Sequence, residues 1–293
     1  MDTFILISIT GIGLGALYFL VASGLSLIYG LMGVLNFAHG TFMSVGAYMG
    51  LWFSTQVVHT TNTWTFIGAL IVGGLGGGLF ALIVEQLVIT RLYERHIDQA
   101  LVTVGVALVV GAMLGGWFTN DLRLLPTPTW FINIVKVRGA IIPVDRFLYI
   151  GVAALLLVVM LAILKFTRIG LIIRAGVENR HMVTALGINV RLAFSAVFFL
   201  GGFAAGVGGV LTAAYQNGVS PLTAGTWLIY GFIVVVVGGM GSIGGSALAA
   251  MLIGITKQFA NYYIPGLGDF VIVFLLAAVL LTKPQGLLGK VSA

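Results

Sequence analysis

The amino-acid sequence predicts an all-α bundle embedded in a membrane, with about eight to nine transmembrane segments in two pseudo-repeats with interrupted helices. Three observations predict it. Hydrophobic residues make up 60% of the 293 and charged residues 8%, with a mean hydropathy of +1.15, a balance foreign to water-soluble domains. The few charges are clustered, which leaves uncharged windows of the roughly 20 residues that a helix needs to cross hydrocarbon. Glycine, at 42 residues, is about twice as common as usual and recurs at small-xxx-small spacing, which lets helix backbones pack closely in lipid.

Nine apolar segments follow along the chain, at roughly 4 to 29, 31 to 54, 66 to 90, 99 to 118, 147 to 164, 191 to 214, 225 to 240, 243 to 260 and 268 to 282. The first begins after Met-Asp-Thr, with no basic region and no small-residue cleavage site, so it is expected to stay in the protein. Segments two, seven and eight are interrupted by glycine and read as broken or re-entrant helices. The seventh and ninth are short. The glycine pairs Gly11/Gly15, Gly46/Gly50, Gly73/Gly77, Gly111/Gly115, Gly202/Gly206 and Gly241/Gly245 are expected at close helix contacts. "SLIYGLMG" (26 to 33) and "VVVVGGMG" (234 to 241) form a faint echo between the two halves, each an apolar run ending in Gly-x-Met-Gly.

Nine of the fourteen Lys and Arg residues fall in three regions that alternate to one side: 91 to 98, 165 to 191 and the C-terminus. Basic residues favour the cytoplasm, so these regions are expected inside and the N-terminus outside. The net charge of +6 is then a matter of orientation and calls for no nucleic-acid partner. The connection 119 to 146 falls outside, where "PTPTWFINIVKVRGAIIP" reads as a turn and short extended pieces forming a small cap. The absence of cysteine excludes disulfides and thiolate metal sites, and His59, His96 and His181 show no metal spacing.

Polar residues inside apolar segments are costly unless they bond another helix, freed backbone or water. Asn36 and His39 lie three apart, on one helical face, with Thr41 beside them. Two readings stand: they bond the backbone of an interrupted helix, or they line a solute pathway. Glu85 reads as an interfacial acid paired with a base, and apart from it the segments offer almost no ionisable residue. Tyr215, Gln216 and Asn217 read as a solvated loop at an outer helix end. The stretch 165 to 192 is too polar to cross and too apolar for a linker. Ile173, Val177, Ala185 and Leu186 can form an apolar face, with Arg174, Glu178, Asn179 and Arg180 toward water.

That stretch carries a resemblance. "TRIGLIIRAGVENRHMVTALGINV" (167 to 190) is similar to the cytoplasmic coupling segment of the branched-chain amino acid permease family of ABC importers. "GLMGVLNFAHGTFMSVGAYMG" (30 to 50) resembles that family's first-half motif, "VVGGMGSIGGSALAAMLIG" (236 to 254) its second-half motif and "TKPQGLLG" (282 to 289) its C-terminal motif. The chain departs from the family at Thr41, where many members carry an acid, at Gly244, where they carry Pro, and at Lys283, where they carry Arg. The resemblance covers essentially the whole chain, read as one permease domain over 1 to 293.

It implies a multi-pass protein of the bacterial cell inner membrane, C-terminus cytoplasmic, that forms the translocation pathway for branched-chain or related amino acids. The implied partners are a homologous second permease, two cytosolic ATPase subunits and an external substrate-binding protein. No catalytic site, cofactor or metal is expected in this chain. ATP and Mg would be bound by the ATPases, in keeping with the lack of a Gly-x-x-x-x-Gly-Lys-Ser/Thr loop. The candidate pathway residues are Asn36, His39, Thr41, Gly239, Gly241 and Ser242; the candidate coupling residues are Arg174, Ala175, Glu178, Asn179, Ala185 and Gly187. An ion-coupled secondary transporter of small amino acids or amides is the alternative, as is a permease of the same kind carrying urea or short amides. A secondary transporter should show ionisable residues at mid-membrane.

Overall fold

The computed structural model describes residues 2–92, 95–137, 139–178, 180–185, 187 and 190–289. Each of the nine apolar segments falls on a helix: α1 (Asp2–Met32), α2 (His39–Trp52), α3 (Thr63–Leu87), α4 (His96–Phe118), α5 (Asp145–Phe166), and, after two short helices α6 (Arg168–Glu178) and α7 (Arg180–Ala185), α8 (Val190–Tyr215), α9 (Thr223–Gly238), α10 (Ile243–Tyr263) and α11 (Leu267–Thr282). Among the described residues six helices, α1, α3, α4, α5, α8 and α10, are long and apolar enough to cross a membrane; α9 and α11 are shorter. The 14 residues of α2 are extended by a π-helical turn, Phe53–Val58. The chain is a multi-pass helical membrane protein.

The break read inside the second segment falls at its start, because α1 runs on through Met32. Gly33 ends it in the left-handed region, φ 65°, with its N–H donating to the Tyr29 carbonyl at 2.8 Å. Gly241, in the matching place of the sequence echo, has φ 88° between α9 and α10. Both positions need a residue without a Cβ, and glycine is the residue that turns left-handed at little cost.

α1 and α8 form the centre. Leu17, Leu20, Val21 and Ala22 of α1 and Val197, Phe198 and Val210 of α8 are fully buried. Against α1, α10 comes so near that a Cβ on Gly15 would stand 2.6 Å from the Ala250 carbonyl oxygen. In the packing of α2, α3 and α8, a Cβ on Gly46 would press on the Gly206 Cα and stand 2.7 Å from the Gly73 oxygen. The glycine spacing therefore encodes these contacts, backbone on backbone. Gly111 in α4 is different: a Cβ there meets nothing within 4 Å.

At one end of the bundle, the 119 to 146 connection forms a 3₁₀ turn and an antiparallel hairpin, β1 (Ile134–Val137) with β2 (Ala140–Pro143), pairing Val135 with Ile142 and Lys136 with Ile141. Arg123 and Val219 exchange backbone hydrogen bonds of 2.8 Å, tying this connection to the α8–α9 turn. At the opposite end, Gly30 lies against Gly241. There the C-terminal stretch straps the α9–α10 turn, Leu287 N–H donating to the Val237 carbonyl (2.8 Å) and Leu288 N–H to that of Gly238 (3.1 Å). These bonds satisfy carbonyls that the end of α9 leaves open.

α6 is amphipathic as read from the sequence: Ile173 is fully buried and Arg174 exposed, its Nε donating to the Gly170 carbonyl at 3.3 Å. Ala175 packs beside Val183, Val190 and Phe194. Ala185, expected on the apolar face, is exposed, because it ends α7 rather than continuing α6. Gly187 follows it at φ 78°. Glu178 closes α6, and Asn179 lies outside the described residues.

Candidate translocation crevice

The break before α2 is held by its own polar residues. The Asn36 Oδ1 accepts from the Ala38 N–H at 3.0 Å, and the Thr41 hydroxyl donates to the Ala38 carbonyl at 2.6 Å. The His39 ring reaches the Val21 carbonyl of α1 at 3.0 Å through Nε2, so the tautomer with its proton on Nε2 is the one that donates. Its edge meets Phe42, ring centroids 5.5 Å apart. Gly24 makes the room, since a Cβ there would stand 2.6 Å from His39 Cε1. From α4, the Thr103 hydroxyl accepts from the Phe37 N–H at 3.1 Å.

The other predicted pathway residues lie apart from these. Ser242 is the N-cap of α10, its Oγ accepting from the Gly245 N–H at 3.0 Å. Gly239 faces the C-terminal stretch, where its Cβ would stand 2.7 Å from Gly289 Cα. Asn36 and His39 are fully enclosed, at 1% and 0% exposure.

Thr41, however, opens on a crevice of about 260 Å³ between α2, α4 and α9. Phe37, Gly40, Thr41 and Ser44 line it from the α2 side, Leu108, Gly111 and Leu114 from α4, and Leu222, Gly225 and Leu228 from α9. Toward the hairpin end lies a second, small cavity of about 20 Å³, water-sized, which shares Ser44 and Ala224 with it and adds Thr212, Gln216, Ser220 and Thr223. The two follow α2 lengthwise. A mostly apolar wall with a few hydroxyls suits a small solute with one apolar and one polar part. Among the described residues no group of three His, Cys, Asp or Glu is placed to hold a metal.

Sequence reasoning missed Ser44, although it stands one helical turn from Gly40 and Thr41 and so shares their face. It also missed Lys257, near the end of the eighth apolar segment. Lys257 Nζ lies 2.7 Å from Asp269 Oδ1 of α11 and donates to the Tyr230 hydroxyl of α9 at 3.1 Å; that hydroxyl donates to Asp269 at 2.7 Å. The signal was there, since a lone lysine in a span requires a partner and Asp269 follows one turn-forming Pro-Gly later. Glu85, read as an interfacial acid, is fully buried two residues before α3 ends, accepting from the Ser195 hydroxyl at 2.8 Å and from Thr90 at 3.2 Å.

The family model of the branched-chain amino acid transport system / permease component matches residues 7–280. The chain is 25% identical to the high-affinity branched-chain amino acid transport system permease protein LivH of Salmonella typhimurium, over 96% of this chain and 94% of that one. It is 28% identical to the corresponding permease protein LivM of Escherichia coli K12, over 93% of this chain and 68% of LivM. Among solved structures it is similar to a chain of PsaBC from Streptococcus pneumoniae in complex with Fab, at a TM-score of 0.47 and 18% identity, covering 93% of this chain and 89% of that one. A match along nearly the whole chain, on a helical bundle with interrupted helices, places this protein in the branched-chain amino acid transport permease family.

Proposed function

We infer that the chain is the transmembrane permease subunit of an ATP-driven importer for branched-chain or related amino acids. The observation that carries this reading is the family match over residues 7–280, which spans every helix from α1 to α11. The crevice along α2 is the proposed route. Its hydroxyls, Thr41 and Ser44, serve the polar end of the solute, and its leucines and Phe37 serve the branched side chain. A second permease of the same kind would close the open side, in keeping with similarity to both LivH and LivM.

Nine of the fourteen basic residues put the N-terminus outside and the C-terminus, with α6 and α7, in the cytoplasm. There the exposed Arg174 and the end of α6 at Glu178 offer the ATPases a surface, and the buried Ile173 transmits its movement to the bundle. Cargo would reach the hairpin end from an external binding protein. The test is purification on a tag carried by this chain, from cells that also express the remaining subunits. A homologous permease and two ATPase subunits should co-purify. A chain that purifies alone and still moves leucine across a membrane would overturn the reading.

A further inference from the structure

Two glycines of the crevice have no neighbour that would exclude a side chain. Gly111 is in the body of α4 and Gly225 in the first turn of α9, both with ordinary helical backbone, and at neither would a Cβ meet any atom within 4 Å. Helices favour alanine over glycine at such places, and packing here does not forbid it. Gly40, on the third wall, is different, since its Cβ would press on the Ala224 carbonyl at 3.1 Å. Ser44 lines the same crevice as Gly111 and Gly225. It is 6% exposed, and it lines both cavities. Its hydroxyl can therefore hydrogen-bond a polar group that enters the crevice.

We propose that Gly111 and Gly225 set the size of the cargo: their missing side chains leave room for a branched aliphatic side chain, while the Ser44 hydroxyl hydrogen-bonds the polar end of an α-amino acid. This rests on the importer reading and adds to it the residues that discriminate between cargoes. Filling the space from either wall should then act on the longer cargo first. One methylene in an apolar pocket changes selectivity by about tenfold or more.

The experiment uses the assembled importer in proteoliposomes, with its ATPases and binding protein, and compares uptake of leucine and valine. Gly111→Val and Gly225→Val should lower the leucine-to-valine ratio by about tenfold, and the alanine variants should shift it in the same direction by less. Gly105→Val, on another face of α4 and equally free of neighbours, should leave the ratio unchanged. Ser44→Ala should reduce uptake of both cargoes and keep their ratio. The alanine variants, which helix propensity favours, give the answer if a valine variant fails to assemble. An unchanged ratio in the Gly111 and Gly225 variants, whether both cargoes persist or both fall together, would overturn the proposal. If the unsubstituted complex carried neither cargo, the importer reading would fail instead.

Discussion

Gly206→Leu should abolish the folded protein. Gly206 sits where α8 crosses α3, and a Cβ there would lie on the Gly73 carbonyl oxygen and 3.1 Å from Gly74 Cα. Neither neighbour is the flexible end of a side chain, so whole helices must separate. Overpacking a soluble core costs about 1–3 kcal/mol and occasionally more. Here the expected cost is at least about 3 kcal/mol, since helix association in lipid rests on the backbone contact being broken. Detergent extracts run on a sizing column should show the monodisperse peak lost in Gly206→Leu. Gly151→Leu, where a Cβ would meet nothing within 4 Å, should keep it. Equal peaks from both would mean that the α3–α8 contact is not where the bundle is held.

His39→Ala should lower thermal stability by about 3 kcal/mol. The ring is 0% exposed, so its removal leaves a cavity against Gly24 and Phe42, and large-to-small changes of this kind cost about 2–5 kcal/mol. It also removes the donor to the Val21 carbonyl, an interaction worth about 1 kcal/mol. His39→Gln, which keeps a donor and part of the volume, should recover a portion. Uptake measured per folded complex should stay near the unsubstituted value, because the side chain bonds α1 and does not open on the crevice. Normal melting with uptake lost would show instead that His39 meets the solute.

Much of the fold was legible because in a membrane the pattern is coarse. Every apolar segment became a helix, and pairs such as Gly11/Gly15 and Gly202/Gly206 mark close contacts, since a missing side chain leaves its trace directly in the sequence. The candidate site was harder to read. Asn36, His39 and Ser242 carry the polar atoms that draw attention; Asn36 Oδ1, His39 Nε2 and Ser242 Oγ bond backbone, while Asn36 Nδ2 and His39 Nδ1 have no hydrogen-bond partner among the described residues. The crevice is formed by residues with little chemistry, Gly111, Leu114, Gly225 and Leu228, on three helices far apart in the chain. Periodicity along one helix cannot reveal which face meets a neighbour across an open gap. Lys257 was overlooked for a related reason, its partners Asp269 and Tyr230 being brought to it only by the packing of α9, α10 and α11.

The most direct measurement of the central claim, that this chain is a conduit driven by ATPases, is uptake of labelled leucine into proteoliposomes under two driving forces. With the second permease, the ATPases and loaded binding protein present, uptake should require ATP and be indifferent to an imposed proton or sodium gradient. Leucine accumulating down such a gradient, through this chain with no ATPase present, would contradict the account.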